Sequence, residues 1–437
     1  MKKVTYAILI AIVLASCSSN EQEYIEKGVS PTVETPSFKT TAKEASEIAL
    51  DFANKMEAKS NTRVIKKKSV ANVEALRASS VQTRSSINAM GIDTLFYIVN
   101  FADSSGFAIV SADKRTDPLY AIIDEGNYNI KELEKENNDG FLQFLDGAIF
   151  KELDDIRNYH EKERTRTIYI WEMNLWEITD YVRPILKTKW GQGGVNNPDS
   201  YGRYCPNKVT GCVITAAAQI LAHYRTPGSV GVSYDNNPAG ITVLHWDRIL
   251  ADSEARSGEL NPYTTPESMN EIAHLCRCLG GLLDANYKFA KDSRFNSTGV
   301  NSSKFIKWLP HVGLHATKLR DYNEEDIMQT IKKGQPVFAS GYEGYEKIIF
   351  VKKYIRGHAW IYDGYLIYSW GIDPRDQEKT ALFIHCNWGW DGNHNGFYLS
   401  ENFLTSKGPQ IIDGTDITRS GNEGDFVYNL KYSVIWK

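Results

Sequence analysis

The chain lacks a long hydrophobic run. Its apolar stretch from Tyr6 to Ala15 covers ten residues, about half of the roughly 20 that an α-helix needs to cross a bilayer. It also lacks an excess of charge of one sign. Fifty Lys and Arg stand against 54 Asp and Glu, a formal net charge of -4, which gives no reason to expect nucleic acid or an anionic membrane face as partner. No glycine-rich phosphate loop is present, so no nucleotide is implied and no cofactor is expected. Cysteine is sparse: after Cys17 the next is Cys205, and the one histidine before His223 is His160. The first part of the chain therefore offers no catalytic cluster. What remains is an ordinary globular composition, 42% apolar and 24% charged, long enough for two domains and a targeting segment.

Met1-Lys2-Lys3 followed by the short apolar run fits a secretory signal. The run ends in Leu14-Ala15-Ser16-Cys17, which resembles the lipobox of bacterial lipoproteins. That resemblance implies a lipidated Cys17 as the first mature residue, a cell-envelope location (outer membrane, periplasmic or surface-exposed) and contact with membrane through the lipid alone. Residues 18–40 are polar and aperiodic and read as a flexible tether. Cys205, Cys212, Cys276, Cys278 and Cys386 are then an odd set in a compartment that permits disulfides, so at least one thiol stays free or pairs outside the chain.

Thr41-x-x-Glu44 has the form of a capping box, and Ala45, Ile48, Ala49, Phe52, Ala53 and Met56 follow at helical spacing. Residues 63–86 are basic and Ser-rich and read as an exposed connection. Strand-like runs at 95–101 and 106–111 flank an Asp-Ser-Ser-Gly hairpin, a third strand fits 119–123, and 141–157 reads as a helix. The charged segment 160–167 is a natural boundary and a plausible processing site. Beyond Ile168 the texture changes to aromatics and short strands. A helix is expected over 266–282, started by a Ser268–Glu271 box, with strands at 335–340, 359–362, 381–385 and 426–436.

Cys212 follows Gly211 and opens a run of helix formers and small residues. At a helix N-terminus its thiol meets the partial positive charge that favours thiolate. Alone it would read as a small buried hydrophobe. A nucleophile needs a base, a group to orient the base, and oxyanion donors. His358 can open a strand directly after Gly357. Asn387 can accept the imidazole N–H, Trp388 can shield that bond, and Gln192 with the Cys212 N–H can form the oxyanion hole. His223, three helical turns past Cys212, cannot serve as the base. His274-x-Cys276-x-Cys278 does not converge like a zinc knuckle, so no metal is assigned.

Lys189-Trp190-Gly191-Gln192, Cys205-Pro206, Gly211-Cys212-Val213, Ala218-Gln219, Gly357-His358-Ala359, Asp363-Gly364 and Asn387-Trp388-Gly389-Trp390 together resemble the streptopain family of secreted bacterial cysteine peptidases. Residues 96–101 and 106–113 resemble that family's inhibitory pro-domain. The resemblance implies an α+β chain with a papain-like two-subdomain catalytic fold, a helical part bearing the cysteine and an antiparallel sheet part bearing the histidine, preceded by a small α+β pro-domain. The division that follows is a signal at 1–17, a tether at 18–40, a pro-domain at 41–157, a linker at 158–180 and a peptidase domain at 181–437. It also implies a zymogen with a Cys212/His358 dyad oriented by Asn387 and Trp388. Its partners would be protein or peptide substrates, with its own pro-domain as inhibitor. The substrate loop falls at 296–299, making Ser297 and the Gly357 backbone substrate contacts. Residues 342–356 and 366–379 are longer than the family spacing and flank the expected cleft. Two other readings use the same scaffold: a catalytically silent binding or inhibitor protein, which would have lost Cys, His or Asn, and a thiol acyltransferase.

Overall fold

The structure is a computed structural model. It describes residues 37–59, 67–80, 91–136, 138–159, 176–194, 200–233, 239–255, 265–292, 296–341, 344–345, 354–355, 357–370, 379–403 and 430–437. Cys17, most of the tether, the 160–167 segment and most of the 342–356 insertion lie outside these residues. Among them, no helix is long and apolar enough to cross a membrane.

Helix α1 (Ala42–Lys59) begins as its capping box dictates. The Glu44 N–H donates to Thr41 Oγ1 at 3.2 Å and the Thr41 N–H donates to Glu44 Oε2 at 2.8 Å. Its buried face is the predicted one, from Ala45 to Met56. It packs on strands β1 (Val70–Arg77), β2 (Thr94–Phe101), β3 (Phe107–Ser111) and β4 (Leu119–Ile123), a consecutive antiparallel set. β1 corrects the expectation of an exposed connection over 63–86. Its one fully buried residue is Leu76, with Val73 half-buried, so an edge strand with a thin apolar face passed for a loop. Helix α2 (Asp139–Asn158) is capped by Asn138 and closes this unit.

Strand β5 (Trp176–Val182) revises the expected 158–180 linker. It pairs with a later strand, and Trp176 is buried and stacked on Tyr368 at 4.8 Å. The helical part follows: α3 (Cys212–Tyr224), α4 (Trp246–Ala255), α5 (Pro266–Leu282) and α6 (Ser302–Trp308). Two hairpins belong to this part, β6 (Ser229–Val232) with β7 (Gly240–Val243), and β8 (Asn286–Lys288) with β9 (Ser297–Gly299). Thr265, not Ser268, caps α5. Pro266 pre-sets the first helical turn, and Glu271 is held by His245 and Arg248 instead of reaching back to a box.

The sheet part holds β10 (His315–Ala316), β11 (Arg320–Asp321), helix α7 (Glu324–Lys332), β12 (Val337–Gly341), the small pair β13 (Gly344–Tyr345) and β14 (Tyr354–Ile355), then β15 (His358–Trp370), β16 (Lys379–Asn387), β17 (Gly396–Leu399) and β18 (Lys431–Trp436). The large sheet is antiparallel throughout, in the order β1-β2-β3-β4-β17-β16-β15-β12-β18-β10, with β5 on β15 and β11 on β18. The join at β4–β17 pairs Gly396 with Ile123, Phe397 with Ile122 and Tyr398 with Ala121. The N-terminal unit thus adds its four strands to the edge of the C-terminal sheet. This is strand addition within one chain, with backbone hydrogen bonds supplying the contact. One apolar core runs under this continuous sheet, and a second fills the helical part around α3 and α5.

Candidate active site

The turn into α3 is set by one glycine. Gly211 has φ 86°, and a Cβ there would fall 2.4 Å from the Thr298 carbonyl oxygen, so only glycine fits. Cys212 is the first residue of α3, where the unpaired N–H groups concentrate positive potential. Its Sγ lies 3.9 Å from the Gly357 carbonyl oxygen. The N–H groups of Ala359, Val213 and Cys212 itself face the sulfur. The residues on both sides of His358 therefore touch the Cys212 thiol.

His358 opens β15 directly opposite Gly341 of β12. It is buried among aromatic rings: Trp360 at 5.9 Å, Trp388 at 6.3 Å and Trp390 at 6.3 Å. Its Nε2 lies 2.8 Å from the Trp388 backbone carbonyl. A carbonyl only accepts, so Nε2 carries the proton and Nδ1 keeps its lone pair. Desolvation holds the imidazole pKa down at about 4, against the opposing pull of the Trp388 carbonyl. Desolvation pushes the Cys212 thiol up to about 11, and the Asp139 carboxylate adds to that. Burial thus disfavours both the thiolate and the imidazolium in this state. The pair is neutral here.

The cause is visible at the start of α2. Asp139 faces the thiol electrostatically, and Gly140 is packed so tightly that a Cβ would sit 2.3 Å from Trp388 Cε3 and 2.9 Å from His358 Cδ2. Gln143, one turn on, reaches Gly341. The first turn of a helix from the N-terminal unit thus covers the imidazole and Trp388 and brings a carboxylate to bear on the thiol. Sequence reasoning missed this contact. Gly140 falls just ahead of the helix expected over 141–157, so the sequence carried no packing signal for it.

The other expected residues are placed as follows. Trp388 is fully buried, and its indole N–H donates to the Tyr398 hydroxyl at 3.1 Å. Asn387 does not reach His358 in this state. Its Oδ1 accepts from Gln219 Nε2 at 3.3 Å and from the Gly389 N–H at 3.3 Å, while its Nδ2 donates to the Thr188 carbonyl at 2.8 Å. The carbonyl of the next residue, Trp388, takes the place the sequence assigned to the Asn387 side chain. Gln219 also accepts the Trp190 N–H at 3.0 Å, so it ties the Asn387 turn to the strip that carries Gln192. The Gln192 carbonyl accepts from the Thr210 N–H at 2.9 Å, two residues before Cys212, which brings Gln192 beside the nucleophile turn. Ser297 opens β9, and its carbonyl accepts from Asn207 Nδ2 at 2.9 Å. The neighbouring Thr298 is the residue that meets Gly211. Gly357 contributes its carbonyl to the thiol contact. All five described cysteines are free thiols. His274 stacks on Tyr204 at 4.3 Å.

Residues 190–398 match the family model described as Peptidase C10 family, residues 37–149 match Spi protease inhibitor, and residues 1–18 match a prokaryotic membrane lipoprotein lipid attachment site. The chain is 22% identical to streptopain of Streptococcus pyogenes over 406 residues, covering 84% of this chain and 86% of that protein. It is 23% identical to the thiol protease/hemagglutinin PrtT of Porphyromonas gingivalis over 343 residues, 70% of this chain but only 34% of that protein's length. Among solved structures, a prointerpain A fragment of Prevotella intermedia matches at 21% identity, covering 78% of this chain and 94% of the fragment, with a TM-score of 0.44.

Proposed function

Given that residues 190–398 form a Peptidase C10 family domain and residues 37–149 a Spi inhibitor-like pro-domain, we propose that this chain is the latent form of an envelope-anchored cysteine endopeptidase acting through Cys212 and His358. The observation that carries the reading is the placement of Cys212 at the start of α3, gripped by the residues flanking His358, under the first turn of a pro-domain helix. In the active form His358 Nδ1 takes the thiol proton, and the thiolate attacks the peptide carbonyl. The Cys212 N–H and the Gln192 amide hold the oxyanion. His358 returns the proton to the leaving amine, and water then hydrolyses the thioester. The Nε2–H is held by the Trp388 carbonyl, or by Asn387 once the pro-domain has left, and this keeps Nδ1 available as the base. Trp388 keeps water from that bond. Ser297 and the Gly357 carbonyl border the substrate.

The electrostatics support latency. With the pro-domain docked, thiol and imidazole are both neutral. Release rehydrates the site, lowers the thiol and raises the imidazole, so that the ion pair becomes accessible. The lipid attachment motif supports anchoring through Cys17. The test is expression from Ser18 with and without Cys212→Ala, followed by gel analysis and a casein assay. The parent chain yields a mature fragment of roughly 30 kDa, at about 110 Da per residue for the expected peptidase domain, and its casein cleavage is blocked by a thiol-directed epoxide. Undiminished casein cleavage by the Cys212→Ala chain removes Cys212 from the mechanism. Transfer of the acyl group to an added amine instead of water would mark an acyltransferase.

A further inference from the structure

A second contact between the two halves involves none of the residues assigned to the reaction. His385, on β16, is almost fully buried. Its Nδ1 lies 2.5 Å from Asp363 Oδ1 and its Nε2 lies 3.0 Å from Asp124 Oδ2. Asp363 belongs to β15 of the peptidase domain. Asp124 follows β4 of the pro-domain, and its N–H donates to the Asn395 carbonyl at 2.9 Å, extending the β4–β17 ladder. The next residue, Glu125, pairs with Lys189 of the peptidase domain. An apolar strand followed by two carboxylates thus meets the edge of β17, an imidazole and an ammonium.

A neutral imidazole has one N–H and one lone pair. Facing carboxylate oxygens at both nitrogens, it would set a lone pair against an anion. Two donors are needed, so the docked state holds His385 as the cation. The surrounding groups agree. Asp363 is committed on its other side, accepting from the Leu186 N–H at 3.3 Å and, through its carbonyl, from the Ile185 N–H at 2.8 Å. Lys189 and Lys68 face Asp124 and hold it ionised. The remaining neighbours, Tyr181, Tyr398 and Cys386, stay neutral because burial and these carboxylates push them upward. Phe397 packs edge-on to the imidazole at 5.0 Å.

We propose that His385 and Lys189, with the edge of β17, form a carboxylate-reading anchor on the peptidase domain whose partner is the Asp124-Glu125 corner of its own pro-domain, and that docking there requires a proton on His385. The anchor rests on the pro-domain reading above and adds a recognition site separate from the cover over Cys212. Its pH sense follows from the two ionisations. In the docked state Asp363 and Asp124 raise His385 to about 10 against desolvation, and undocking removes Asp124. The histidine contribution is complete below the undocked pKa and fades as pH rises toward about 10. Asp124 is lowered from its ordinary 3.8 by His385, then by Lys189 and Lys68, against desolvation. Its contribution is present above that ordinary value and fades as pH falls below it. The pro-domain is held best near neutrality and is released on the alkaline side.

The test uses the full chain carrying Cys212→Ala, with a specific-protease site in place of residues 162–167, cut to give two chains. Dissociation of the pair is measured by dilution at pH 7 to 10. The parent pair weakens with rising pH, by up to about tenfold per unit for one linked proton. Asp124→Asn weakens the pair about 10-fold to 100-fold at pH 7, the loss of one charge-assisted bond, and flattens the pH slope. Glu125→Gln also weakens the pair but keeps the parent slope, because it leaves His385 and Asp124 in place. An Asp124→Asn pair with the parent affinity and slope overturns the proposal, and so does a Glu125→Gln pair that loses the slope. The readout is association only, so it stands apart from the identity of the nucleophile.

Discussion

Replacing Gly140 with alanine tests the latency argument with a single methyl group. In an isolated helix the change is favourable, since alanine exceeds glycine by about 1 kcal/mol in helix propensity. In the docked chain the new Cβ would meet Trp388 Cε3 at 2.3 Å, Trp388 Cζ3 at 2.4 Å and His358 Cδ2 at 2.9 Å. None of these atoms is the far end of a flexible side chain. Trp388 is fully buried and tied to Tyr398, and His358 is held by the Trp388 carbonyl. The first turn of α2 must therefore lift. Overpacking of this kind costs about 1–3 kcal/mol, which raises the undocked population about 5-fold to 150-fold. The assay follows the full chain from Ser18, with Cys212 intact, for casein cleavage before any processing and for the rate of conversion to the mature fragment. Both rise by that factor, while helix content by circular dichroism stays level or increases. A Gly140→Ala chain as latent as its parent, with the same conversion rate, would refute the claim that the start of α2 is what closes the site.

Two further outcomes follow from the ionisations. In the latent chain the Cys212 thiol, held at about 11 by desolvation and Asp139, is alkylated slowly at pH 7, with a rate that climbs about tenfold per pH unit up to that value because the thiolate is the reactant. Peptide mapping by mass spectrometry after iodoacetamide reads this directly, and removal of the pro-domain accelerates labelling at pH 7. Glu152 on α2 is fully buried, accepts from Ser111 Oγ at 2.6 Å and Tyr120 OH at 2.8 Å, and is raised by desolvation to about 8. A raised carboxyl keeps in the native state a proton that the unfolded chain has lost, so stability falls as pH rises from 4.5 toward 8, by about 3 kcal/mol at pH 7. Glu152→Gln in the Cys212→Ala chain removes that slope. Urea midpoints at pH 5 and pH 7.5 check it, and an unchanged pH difference would contradict the assignment.

Much of the candidate site was legible because the turn that carries its cysteine has a local backbone requirement. Gly211 is placed where the chain must turn sharply into a helix, Gly357 directly precedes the strand that His358 opens, and the structure puts both at the thiol. The face of α1 was legible for the same reason, since one helical period decides it. The partners of Asn387 were not. Its neighbourhood was legible, but its partner Gln219 lies on a helix 168 residues earlier in the chain, where no local pattern points to it. β1 was missed because an edge strand needs few apolar residues, and β5 because its burial comes from Tyr368 on a hairpin almost 200 residues later. Non-local pairing leaves little periodic trace in a short segment.

The same non-local contacts decide what a cut in the 160–175 stretch can achieve. Among the described residues, the bonds that join the halves include the β4–β17 ladder, the Asp124–His385 and Glu125–Lys189 pairs, the stack of Phe141 on His394, and the seat of Gly140 on Trp388 and His358. None involves a residue of that stretch, so severing it breaks none of them. For these contacts scission changes the entropy of departure, by turning an intramolecular contact into one that dilution can dissolve. Helix α1 adds to the grip. Phe52 packs edge-on to Tyr368 at 4.7 Å, and Lys55 donates to the Trp176 carbonyl at 2.8 Å, both on the part that remains with the peptidase. On the proposed function, activation would take two steps: cleavage permits, and loss of the ladder and its charged corner accomplishes, the unveiling of Cys212. A condition that weakens the corner without touching the linker would shift the second step alone, as would a methyl group at Gly140.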